Sequence, residues 1–175
     1  MNFILSRIYY LPFYIPLIIE GNKNGIRSIM FLNKNEKKFT DPYKRLENIK
    51  SLAEKYDFEI LDITKITNFK GITILCEGDM VGRGGGPNAH RFLNDDHIKI
   101  SLIVNYEFVD GFYKKYIKHV DHVIFPSKIY AETYNTINNK NLYLGCPKYL
   151  CELKEVNLPK DQRYCLFAFP KDLQK

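Results

Sequence analysis

Three consecutive glycines, Gly84, Gly85 and Gly86, stand in the run GITILCEGDMVGRGGGPNAHRFL (71–93), with Arg83, Asn88, His90 and Arg91 around them. A glycine triplet costs much backbone entropy, so it suits a loop that needs positive φ or lets another group come close to the main chain. Pro87 and Asn88 open a helix behind it. The first turn of a helix offers unpaired N–H groups and a partial positive charge. With two arginines and a histidine beside that turn, the stretch is a candidate anion seat. The same residues also read as a plain turn carrying solvated charges.

The elements that must position this loop are legible as apolar runs separated by polar or helical ones. Residues 72–76 read as a buried strand whose acidic end holds Glu77 and Asp79. Further strands are expected at 2–8, 26–32, 58–63, 98–106, 120–125 and 142–144. Between them, helices are expected at 16–20, at 43–56 (capped by Asp41-Pro42), at 109–119 and at 128–136 (capped by Ser127). Residues 9–16 and 33–39 read as loops. Short apolar strands alternating with helices predict an α/β, Rossmann-like, mainly parallel sheet with helices on both faces. Ligands in such sheets bind outside the carboxyl ends of the strands. The polar residues at those ends are Arg7 and Tyr9, Glu77 and Asp79, Tyr106 and Glu107, Ser127 and Lys128, and the run 145–148.

The composition narrows the class. A chain of 175 residues with 45% hydrophobic residues holds one domain, or one domain and the opening of a second. Its net charge of +6 suits anionic partners, although lysines on solvated helix faces account for it equally. No nucleic-acid recognition motif accompanies that charge. The four cysteines (Cys76, Cys146, Cys151, Cys165) show no CxxC spacing, and the pair His119 and His122 lacks partners for a tetrahedral site. No metal and no cofactor are expected, and a reducing, cytoplasmic setting suits the thiols. Residues 3–19 are apolar but carry Arg7, Pro12 and Pro16, and the run is short for a membrane span. It also lacks a small-residue cleavage site. A peripheral contact with lipid stays open, beside the reading as a buried strand and helix start.

The run VDHVIFPSKIYAETYNTINNKNLYLGCPKYL (120–150) resembles the end of the N-terminal domain in GT-B fold glycosyltransferases and in their relative, UDP-N-acetylglucosamine 2-epimerase. In that superfamily a late strand ends in Pro-Ser, a tyrosine-bearing helix follows, and Gly-x-Pro leads to the C-terminal domain. Here the matching positions are Pro126-Ser127, Tyr130 or Tyr134, and Gly145-Cys146-Pro147 with Lys148. The resemblance implies residues 1–150 as an acceptor-binding domain and 151–163 as a linker. Residues 164–175 would be the first strand of a second domain, or a strand added to the sheet. It further implies sugar transfer from a nucleotide-sugar to a sugar or lipid-phosphate acceptor. The nucleotide-sugar domain would then come from a separate chain or a homo-oligomer.

Under that reading the acceptor hydroxyl needs a base. Asp79 is the first candidate, Glu77 the second and His90 the third; each also reads as a loop cap, an ion-pair partner or an exposed side chain. Arg83 and Arg91, with Gly84, Gly85, Gly86 and Asn88, are candidates for holding an acceptor phosphate. Tyr106 is a candidate to stack on a sugar, or to close the core, and Ser127 to contact ligand, or to cap its helix. The alternative class is a non-catalytic Rossmann-like module that binds a phosphorylated ligand or a partner protein.

Overall fold

A computed structural model of the chain describes residues 1–34, 41–66, 69–76, 97–104, 119–135 and 141–149. Seven strands form one sheet: β1 (Asn2–Leu5), β2 (Ile29–Leu32), β3 (Glu59–Asp62), β4 (Ile72–Cys76), β5 (Ile98–Leu102), β6 (His122–Phe125) and β7 (Asn141–Tyr143). Their order is β3-β2-β1-β4-β5-β6-β7, and every neighbouring pair is parallel. The expected parallel α/β architecture is therefore present, and the order is that of a Rossmann-like, doubly wound sheet.

Side chains alternate across this sheet, and each face buries a separate apolar cluster. On one face Phe3 and Leu5 of β1, Met30 and Leu32 of β2, and Cys76 of β4 meet Tyr14 and Ile18 of α1 (Leu11–Lys23) and Ile49 of α2 (Leu46–Tyr56). On the other, Ile4, Phe31, Leu75 and Phe125 meet Ala131 of α3 (Lys128–Asn135). A central strand buried on both faces needs a continuous apolar run, which is what Phe3-Ile4-Leu5 supplies. Each such side chain contributes about 1.5–3 kcal/mol on burial.

The first helix is longer than its punctuation suggests. In place of a loop over 9–16 and a helix over 16–20, a 3-10 turn at Ile8–Tyr10 runs into α1 at Leu11. Pro12 falls in the first turn, where its missing N–H has no helical partner to lose. Pro16 forfeits one backbone bond inside the helix. Against that loss, Leu11, Tyr14 and Ile18 recur along one face and bury themselves on the sheet, and the Tyr14 hydroxyl donates to the Ile4 carbonyl at 2.9 Å. Gly21 lies inside the helix rather than ending it.

The second helix opens as its cap predicts. The Asp41 side chain accepts from Tyr43 N at 3.0 Å, starting a 3-10 turn at Pro42–Arg45 that continues as α2. Strand β4 has its expected bounds; β1 and β3 end early where 3-10 turns begin at Ile8 and Ile63, β2 and β6 start later than their apolar runs, β5 ends at Leu102, and β7 lies one residue earlier than expected. The helix expected at 109–119 (His119 excepted), the linker 151–163 and the segment 164–175 lie outside the described residues.

Candidate functional site

The order of the sheet reverses between β1 and β4, and a parallel sheet opens a crevice outside the carboxyl ends of the two strands that flank such a point. From β1 the chain supplies Ser6 and Arg7, respectively 0% and 8% exposed. Arg7 keeps an extended backbone (φ −142°, ψ 128°) and leads into the 3-10 turn. Its Nη1 donates to the Tyr9 hydroxyl, and its guanidinium carbon lies 5.7 Å from the centre of the Tyr9 ring. A guanidinium held in this way is a planar, always-charged donor set suited to oxyanions. From β4 comes buried Cys76, followed in sequence by Glu77.

Most of the residues named from the sequence, Glu77, Asp79, Arg83, Gly84, Gly85, Gly86, Asn88, His90, Arg91 and Tyr106, lie outside the described residues. Ser127 is described: it is half-buried after β6, and its carbonyl accepts Ala131 N at 3.2 Å, which places it at the opening of α3. In the sheet order β6 lies two strands away from β4, so Ser127 stands apart from the point of reversal.

The run 145–148 comes nearer. Gly145 has φ +77°, a conformation that favours glycine, and it turns the chain off the sheet edge after β7. The following 3-10 turn, Pro147–Tyr149, packs against α1. The four steps from Tyr143 to Pro147 span at most about 14 Å, so the chain returns over the carboxyl side of the sheet. Cys146, Pro147 and Lys148 are thus drawn toward the helix that follows β1.

A second feature occupies the same rim. Lys34, Tyr43, Asp62 and Thr64 line a cavity of about 390 Å³ at the carboxyl ends of β2 and β3. Asp62 accepts from Thr64 Oγ1 at 2.6 Å and Thr64 N at 2.8 Å, and these bonds hold its carboxyl below the usual range. Burial, then the bond to Asp62, keeps the Tyr43 phenol protonated well above its ordinary range. The Asp62 bonds favour the ionised form, so their stabilising effect is present above the unfolded value of about 4 and is lost as pH falls through the lower folded value. Asp62→Asn is expected to lower the melting temperature at pH 7. The gap to the parent should close as pH falls below about 4; a gap that stays constant down to pH 2 would contradict this.

The larger cleft, about 550 Å³, lies at the opposite rim, among Asn22, Arg27, Asp57 and Glu59. Several of its polar groups serve one another: Arg27 Nη2 meets Glu59 Oε2 at 2.8 Å, and Asn22 Nδ2 donates to the Tyr56 and Asp57 carbonyls, while the buried Ser28 Oγ has no partner. It ties α1 to the end of α2.

Sequence reasoning missed Asn33. It reads as the first residue of a polar loop, yet it is 1% exposed, and its N–H donates to the Leu5 carbonyl at 2.9 Å. The available signal was its place directly behind the apolar run 29–32. Among the described residues, no three His, Cys, Asp or Glu side chains cluster as metal donors, and no helix is long and apolar enough to cross a membrane. Set beside known proteins, the chain matches no family model, no curated protein and no solved structure.

Proposed function

We propose that this chain is an acceptor-binding domain of GT-B type, which holds a phosphate-bearing sugar or lipid acceptor for sugar transfer from a nucleotide-sugar. The observation that carries the reading is Arg7, a buried guanidinium at the carboxyl end of β1 beside the reversal of the sheet. The return of the Gly-Cys-Pro-Lys run toward α1 supports it. Arg7 neutralises acceptor phosphate, and the glycine-rich segment that follows β4 in sequence, with Arg83 and Arg91, adds N–H and cationic donors. Asp79, with Glu77 and His90 as the other candidates, takes the proton of the attacking hydroxyl. The nucleotide-sugar domain comes from a separate chain or a second copy, the setting is the cytoplasm, and a lipid-linked acceptor brings peripheral contact with a membrane surface.

A second reading, a non-catalytic module for a partner protein, draws on a different observation. Ile129, Tyr143 and Leu144 are 74%, 52% and 68% exposed on the α3–β7 side. Calorimetry with the full chain separates the two. Binding of sugar phosphates or lipid phosphates, with no binding or hydrolysis of nucleotide-sugars, is the expected result. Nucleotide-sugar hydrolysis by this chain alone would overturn the half-enzyme account, and indifference to every phosphate would leave the partner-protein reading.

A further inference from the structure

The cavity at the tips of β2 and β3 gathers three kinds of polar group on one face of the sheet. Asp62 pairs in register with Leu32, and Ile60, two residues before it, packs with the cluster under α1 and α2. Alternation therefore puts Asp62 on that face, where Tyr43 packs against the same cluster. Lys34 follows Leu32 by two residues, and the bond from Asn33 N to Leu5 O carries the β1–β2 ladder past Leu32. With Thr64, these side chains line one cavity of about 390 Å³.

Lys34 and Asp62 carry opposite charges on neighbouring strands, an arrangement that favours direct pairing. Among the described residues neither forms an ion pair. The Lys34 ammonium keeps three donors, and the carboxyl of Asp62 keeps acceptor capacity. An ionised carboxyl has about four lone-pair sites. Thr64 takes two of them, both on Oδ1, and the Tyr43 hydroxyl takes at most one.

A ligand that spans such a cavity must accept from an ammonium and donate to a carboxylate. A hydroxyl does both, and it also pairs with the hydroxyls of Thr64 and Tyr43. An amino-acid zwitterion would match only the two charged groups of the four. The volume falls at the small end of the range for small-molecule pockets, about 300–1,000 Å³. We propose that this cavity binds a neutral sugar, whose hydroxyls bridge Lys34 and Asp62. The site is separate from the crevice at Arg7 and needs no phosphate on its ligand.

NMR titration of the full chain with glucose, maltose, glutamate and inorganic phosphate is the test. Glucose or maltose is expected to bind, and glutamate is not. Lys34→Met should weaken sugar binding by about tenfold or more, the effect of losing a hydrogen bond to a charged group. Lys34 is exposed and makes no described ion pair, so this variant should melt with the parent and report on the site alone. Asp62→Asn should weaken the sugar by a similar factor. Sugar binding that survives both substitutions, or glutamate binding in place of sugar, overturns the proposal. Phosphate binding without sugar binding sinks this inference alone; sugar binding without phosphate binding supports it and sinks the phosphate reading at Arg7.

Discussion

Replacing Arg7 with methionine is expected to weaken binding of phosphate ligands to the full chain by roughly a hundredfold or more. Hydrogen bonds to charged groups contribute about 1.5–3 kcal/mol each, and a guanidinium can make two to one phosphate. Arg7 is 8% exposed, so its charge acts across a less polar medium than at an open surface. Methionine keeps a long apolar stem, and Tyr9, which is 43% exposed, can turn its hydroxyl to solvent when its donor is gone. Arg7→Lys retains the charge without the planar fork, and should fall between the two. Calorimetry on the three proteins decides the matter; an Arg7→Met chain that binds phosphate as well as the parent would remove Arg7 from the site.

For stability, Phe3→Ala is expected to have the largest effect, about 3–5 kcal/mol. Phe3 is 0% exposed on the central strand, its ring centre lies 5.3 Å from that of Tyr14, and it belongs to the cluster that joins β1, β2 and β4 to α1. Truncation leaves a void between elements already fixed by their neighbours, so little collapse can fill it. Since whole domains are stable by only about 5–15 kcal/mol, the variant should retain a fraction of the parent's resistance to urea. Tyr14→Phe supplies the contrast: it keeps the ring and removes the donor to Ile4 O, at a cost of about 1 kcal/mol for that bond. Urea titration gives both values, and a Phe3→Ala cost below about 1.5 kcal/mol would mean that the β1–α1 contact is not the centre of the core.

Strand β4 was legible to the residue because its apolar run is bounded by Gly71 and by acidic residues, and local pattern suffices there. The first helix was not, because Pro12, Pro16 and Gly21 are local signals and the burial of Leu11, Tyr14 and Ile18 against the sheet is not. The neighbours of β1 were beyond local reading too, since one of them lies 71 residues away in sequence, from Asn2 to Thr73. Asn33 shows the same limit at the site. One asparagine at the head of a Lys/Asn-rich stretch looks like every other loop residue until the β1–β2 ladder is known to enclose it. Arg7 was visible as a strand-end residue, but its burial and its place beside the reversal follow only from the order of strands.

The placement of β1 between β2 and β4 has a consequence for how the molecule is made. As the nascent chain leaves the ribosome, β1 can find β2 once residue 32 has emerged, but its other flank waits for residue 73. At about 5–20 residues per second, that interval is roughly 2–8 s. During it a strand that ends up buried at every position presents an open hydrogen-bonding flank, a natural target for chaperones during translation.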